Sequence, residues 1–100
     1  LGQQVTVTQD EKLLVLKVGE SINLNCEHSD KTGTFTMFWY QQKSGKGLEL
    51  MAMSTAVKDS NMENKFNELK WSLERSEVKA SVLKRDKATS GDSAVYFCAS

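Results

Sequence analysis

The sequence predicts an all-β domain, two antiparallel sheets packed face to face, and three observations carry that prediction. Apolar residues alternate in short runs divided by polar turn signals, with no convincing helical period. Cys26 and Cys98 stand far apart, with Trp39 between them. Tyr96 lies two residues before the second cysteine, in the run Asp92-Ser93-Ala94-Val95-Tyr96-Phe97-Cys98-Ala99-Ser100. In that run Ala94, Tyr96 and Cys98 share one face of a strand, and Val95, Phe97 and Ala99 share the other. Both faces are apolar, so one packs on the domain's own core and the other is free to pack on something else.

The remaining elements follow in order. Val5 and Val7 alternate with Thr6 and Thr8 as a first short strand, and residues 13–18 form a second, ended by a turn at Gly19. Residues 21–27 place Ile22, Leu24 and Cys26 inward and Ser21, Asn23, Asn25 and Glu27 toward water. Residues 28–34 read as a loop. Residues 35–42 put Phe35, Met37 and Trp39 on one face and Phe38, Tyr40 and Gln42 on the other, as in a central strand covered on both sides. A turn at residues 44–47 precedes a strand at 48–53, with Leu48 and Leu50 on one face. Residues 54–67 read as loop and edge strand. A short amphipathic helix through Met62, Phe66 and Leu69 is the less favoured reading, because three asparagines interrupt it. Strands at 70–74 and 80–85 flank a charged turn at 74–79, with Trp71, Leu73 and Leu83 inward, and a polar connection leads to the last strand.

The bulk composition narrows the function. One hundred residues make a single domain, 1–100. Thirteen basic and thirteen acidic residues cancel, so charge alone draws the chain to neither nucleic acid nor an anionic membrane. No apolar run is long enough to span a bilayer, and no Asn-x-Ser/Thr acceptor occurs. The chain opens at Leu1 without a leader, so a signal peptide is expected to have been removed. Two cysteines and one histidine make a metal site unexpected. The cysteines are either a disulfide, which implies an oxidising compartment, or two buried thiols; spacing favours the bridge and leaves the other reading open. Nucleophilic triads need a histidine beside serine or cysteine. His28, the only one, is expected to be solvated at a strand end. No glycine-rich phosphate loop or paired acid–base motif points to an enzyme, and no cofactor is implied.

A sandwich of two sheets would set Cys26 and Cys98 on opposite inner faces with Trp39 against the bridge, and would let the Tyr96 hydroxyl bond back to the preceding corner. Lys70 and Asp92 are expected to pair across the bottom of the sandwich. The bland alternative is two solvated charges, and a surface pair contributes only about 0–1 kcal/mol.

With these motifs the chain resembles an immunoglobulin V-type Greek-key β-sandwich, and within that group a T-cell receptor β-chain variable domain. The resemblance rests on Val7-Thr8-Gln9, Trp39-Tyr40-Gln41-Gln42, Gly47-Leu48-Glu49-Leu50-Met51, Lys70-Trp71-Ser72-Leu73-Glu74-Arg75 and the closing Cys98-Ala99-Ser100. It implies that Tyr40, Gln42, Leu48, Leu50 and Phe97 form the interface with an α-chain variable domain, Gln42 exchanging amide bonds with a partner glutamine. An exposed apolar patch of this kind independently suggests an interface; the alternative is that another segment of the same chain covers it. By position, residues 30–36 and 54–59 are the first two hypervariable loops, and Arg75-Ser76-Glu77-Val78-Lys79 matches the fourth. The resemblance implies that Asp30, Lys31, Thr32, Phe35, Ser54, Thr55, Val57 and Lys58 meet a peptide–histocompatibility complex, with Lys31, Thr32 and Lys58 the named hot spots. Composition alone reads the same stretches as ordinary soluble turns.

The chain departs from the family pattern in carrying Arg85 where an inward aliphatic is usual, lysine at position 70 where arginine is common, and no proline near the Gly45 turn. The resemblance also implies that the joining-region strand, the membrane span and the contacts to signalling subunits lie in segments outside this sequence, and that the domain sits on the extracellular side of a plasma-membrane receptor. The alternatives are an antibody variable domain, a non-rearranging V-type immune receptor, or an adhesion domain that uses a sheet face instead of loop tips.

Overall fold

The computed structural model describes residues 7–9, 13–14, 18–28 and 36–99. Its elements are β1 (Val7–Gln9), β2 (Leu13–Leu14), β3 (Ile22–His28), β4 (Met37–Gln42), β5 (Glu49–Ser54), β6 (Asn61–Met62), α1 (Asn64–Glu68), β7 (Trp71–Glu77), β8 (Ala80–Arg85) and β9 (Ala94–Ala99), with a 3-10 turn at Ser90–Asp92 before the last strand. Two antiparallel sheets result, one in the order β1-β3-β8-β7 and the other β2-β9-β4-β5-β6.

Period-2 patterning builds the core. β3 alternates buried and exposed residues along its whole length. Ile22, Leu24 and Cys26 from β3, Leu83 from β8, and Trp71 and Leu73 from β7 meet Met37 and Trp39 from β4 and Ala94 and Tyr96 from β9. The register of β5 shifts between its pairings with Trp39 and Tyr40: Ala52 lies opposite Trp39 and Leu50 opposite Tyr40. Met51 is the extra residue of this bulge. Met51 and Ala52 are therefore both buried although adjacent, while Leu50 turns to the outer face.

A disulfide joins Cys26 and Cys98 across the two sheets, with Cα atoms 6.5 Å apart. Closing so long a loop contributes about 4 kcal/mol in the chain-entropy account. Trp39 lies opposite Cys98 in the ladder. Its indole Nε1 donates to Ser81 Oγ at 3.0 Å, and Ser81 is opposite Cys26. The indole thus spans the sheets beside the bridge with its one polar atom satisfied. Trp39 and Leu83 are fully buried. Tyr96 is equally buried; its hydroxyl donates to the Asp92 carbonyl at 2.5 Å and accepts from Gln41 Nε2 at 3.0 Å. Burial pushes the phenol up to about 12, so it stays a neutral structural donor.

Five expectations need correction. The bottom of the sandwich is closed by Arg85, not Lys70: Arg85 Nε donates to Asp92 Oδ2 at 2.8 Å, with both side chains at least nine-tenths buried. Lys70 has φ 69° and donates its amide to the Asn67 carbonyl, so it completes the turn after α1 with its side chain exposed. Arg85 is the last of the inward residues of β8, opposite Trp71, and its guanidinium stacks 5.5 Å from that indole and donates to the Leu69 carbonyl. Asp92 also accepts from the Thr89 amide at 2.7 Å.

Residues 64–68 are the helix that asparagine content argued against. Five residues cannot hold a helix alone, and tertiary contacts do so here. Phe66 is buried, and the Glu63 amide donates to the Met51 carbonyl at 2.8 Å. Leu69, assigned to the helix's apolar side, is instead exposed. β7 continues to Glu77, so Arg75 lies in a strand and is buried to 2% exposure, not part of a charged turn. His28 is 3% exposed, not solvated. The expected strand positions Val5 and 15–17 lie outside the described residues.

Candidate functional site

Two surfaces of this frame have the character of binding sites. The first is the outer face of the five-stranded sheet. Strand alternation sends Trp39 and Gln41 inward and Phe38, Tyr40 and Gln42 outward. Tyr40 lies opposite Phe97 on one side and Leu50 on the other. One row across three strands therefore carries Phe97, Tyr40 and Leu50. Phe38 adds to it, its ring stacked 6.3 Å from Tyr40, flanked by Met53 and Ala99. Leu48 stands at the rim, 59% exposed. Gln42 donates to the Lys46 carbonyl at 3.0 Å. Phe38 was not among the sequence-derived interface residues, yet the same alternation that marks Tyr40 marks it.

The second surface is the end of the sandwich where β5 and β7 turn. Ser54, expected to meet ligand, is fully buried and cannot: it is the inward end of β5, and its hydroxyl donates to the Ala56 carbonyl at 3.0 Å. Thr55, Val57 and Lys58 are exposed. Their loop is ordered from within by one carboxylate. Asp59 Oδ2 accepts from the Thr55 amide at 2.9 Å, from the Thr55 hydroxyl at 2.8 Å and from Asn61 Nδ2 at 3.2 Å. Lys58, at φ 65°, turns its amide onto the Arg75 carbonyl at 2.9 Å. Asp30, Lys31, Thr32 and Phe35 lie outside the described residues.

The two bonds from Thr55, then Asn61 and the positive charge of Arg75, hold the Asp59 carboxyl below its ordinary 3.8, against a smaller opposing effect of burial. Because the folded value is the lower one, the carboxylate's support of the loop is fully present above pH 3.8 and is lost as pH falls through the folded value. Titration followed by the Thr55 amide chemical shift should show the loop loosening only below that point. Asp59→Asn should abolish the transition, and a midpoint above the ordinary value would contradict the arrangement.

Among the described residues, no group of three or more His, Cys, Asp or Glu side chains could hold a metal, and no helix is long and apolar enough to cross a membrane. Hydrogen-bond donors and apolar rows are what this frame presents, which suits binding.

The immunoglobulin V-set domain family matches residues 9–100. The chain belongs to this family. The V-set domain is 34% identical over 94 residues to human T cell receptor beta variable 7-4, an alignment covering 94% of the chain and 79% of the relative. It is likewise 34% identical over 86 residues to human T cell receptor alpha variable 5, covering 86% and 72%. A solved chain from a study of T cell specificity and activation by the bacterial superantigen toxic shock syndrome toxin-1 superposes with a TM-score of 0.84 at 29% identity, covering 95% of this chain and 80% of that one. The homologues of the V-set domain are thus T-cell receptor variable domains of both β and α type, a family of extracellular receptor domains and not of enzymes.

Proposed function

We propose that this V-set domain is the antigen-recognition domain of a T-cell receptor β chain, paired with an α-chain variable domain and binding peptide–histocompatibility complexes through its loop end. The observation that carries the reading is the aromatic outer row Phe97–Tyr40–Leu50 with Phe38 and Leu48 beside it. An apolar face of this kind, on a sheet whose other face is already the core, is stabilised by a partner that removes it from water. Gln42 sits at the edge of the row, where an amide that releases the Lys46 carbonyl can bond a partner amide instead. At the loop end, Thr55, Val57 and Lys58 offer a hydroxyl, a small apolar group and a cation on a pre-ordered loop. That chemistry suits adaptable polar contacts. Membrane anchoring and contacts to signalling subunits would belong to other segments of the receptor.

The similarity to α variable 5 supports a second reading, an α-type domain that pairs with a β partner. Co-refolding with separate α-type and β-type variable domains distinguishes them. The β reading expects a one-to-one heterodimer with the α-type domain and none with the β-type. Pairing only with β-type domains would reverse the assignment, and monomers in both mixtures would remove it.

A further inference from the structure

The deepest charged side chain at the loop end belongs to a residue turned into the fold. Arg75 is 2% exposed. Its Nη1 donates to the Ser54 carbonyl at 2.8 Å and the Ser54 hydroxyl at 3.2 Å. Its Nε donates to the Glu77 and Val78 carbonyls, both at 3.1 Å, and Nη2 to the Val78 carbonyl at 2.5 Å. The pairing of β7 with β8 is irregular between Glu74 and Glu77, which lets the chain turn these carbonyls back onto the guanidinium. The same Val78 carbonyl accepts from His28 Nε2 at 2.8 Å, and the His28 amide donates to the Lys79 carbonyl at 2.8 Å. From the other direction, the Lys58 amide bonds the Arg75 carbonyl, and Asp59 supplies the opposing charge near the guanidinium.

Three chain segments thus converge on the Arg75 guanidinium and the Val78 carbonyl it holds: the end of β5 with the loop at 54–59, the turn at 77–79, and the end of β3. A planar guanidinium with five donors can hold carbonyls on two sides at once, and an ammonium cannot copy that fork. We propose that Arg75 is a positioning residue that locks the 54–59 loop, the 77–79 turn and the end of β3 into one rigid block. The orientation in which Thr55, Val57 and Lys58 meet a ligand is then set by a side chain that never touches it. The ligand-facing half of this statement rests on the recognition function proposed above. The rigid block does not, and the experiment reads the block alone.

That experiment is amide hydrogen exchange on the unliganded protein, comparing native with Arg75→Lys, Ser54→Ala and Asp59→Asn. Arg75→Lys should speed exchange of both the Lys58 and His28 amides by about 10-fold or more, the scale of losing a hydrogen bond to a charged group. The amides of β4 and β9 should keep their native rates. Asp59→Asn should speed exchange within 54–59 and leave His28 unchanged, because it frees the loop from its carboxylate and leaves the Arg75 bonds to Ser54, Glu77 and Val78 in place. Should Arg75→Lys not fold, Ser54→Ala keeps the test alive: it removes one acceptor of the guanidinium and should raise exchange at His28, to which Ser54 is linked through Arg75 and the Val78 carbonyl. A His28 amide unmoved in every folded variant overturns the proposal, as does a uniform rise that includes β4 and β9. Failure to bind any histocompatibility ligand would bear on the proposed function and leave this result intact.

Discussion

Asp92→Ala is expected to lower the unfolding free energy by about 3–5 kcal/mol, the cost of leaving a buried charge without its partner. The stranded charge is Arg85, whose guanidinium is held between Trp71 and the Leu69 carbonyl and cannot swing to water without opening the base of the sandwich. Asp92 also satisfies the Thr89 amide, so its removal unties the 3-10 turn that leads into β9. Lys70→Ala should change stability by no more than about 0.5 kcal/mol, as for an exposed side chain outside any network. Urea unfolding of the two variants reads the contrast directly. A total stability of about 5–15 kcal/mol is usual for a domain, so the first loss would be severe. Equal losses would return the pairing to Lys70. A double substitution of Arg85 and Asp92 by apolar residues of similar volume should cost less than Asp92→Ala, because neither charge is then stranded.

Tyr40→Asp combined with Leu50→Glu should weaken pairing with an α-type variable domain by about 1000-fold or more. Each truncated anchor at the centre of an interface typically costs at least about 2 kcal/mol, and each new carboxylate must be desolvated. Two such losses, about 4 kcal/mol together, amount to roughly three decades of affinity. Both residues lie in the same row across β4 and β5, so the substitutions fall on one patch. The monomer should tolerate them, since neither side chain belongs to the buried core. Sedimentation of mixtures at increasing concentration measures the effect. Unchanged pairing with an intact monomer would move the interface elsewhere.

The sheets, the bridge partners and the tyrosine corner were legible because one period-2 pattern encodes both faces of a strand. The residues that sequence reasoning misplaced were polar ones at inward positions. Positions 81, 83 and 85 alternate inward, as do 71, 73 and 75, and 22, 24, 26 and 28. The pattern therefore pointed at Arg85, Arg75 and His28, while charge and polarity argued for water. Alternation prevails where carbonyls or a carboxylate wait inside: Leu69 and Asp92 for Arg85, Ser54 and Val78 for Arg75, Val78 for His28. Leu69 for Arg85, Ser54 for Arg75 and Val78 for His28 stand 16, 21 and 50 residues away, which a local pattern does not reveal. Ser54 was misassigned for the same reason, its hydroxyl reading as a loop contact when the strand had not yet ended. α1 was the less favoured reading because a five-residue helix spans too few turns to show a strong period, and it is held by tertiary contacts, the burial of Phe66 and the bond from the Glu63 amide to the Met51 carbonyl.

Oxidative footprinting of the domain, alone and mixed with an α-type variable domain, tests the pairing face most directly. Tyr40, Leu48, Leu50 and Phe97 should lose reactivity together on mixing, while Val18, 71% exposed in a turn outside the strands, should keep it. Complex formation with the four side chains as reactive as in the free domain would contradict the account.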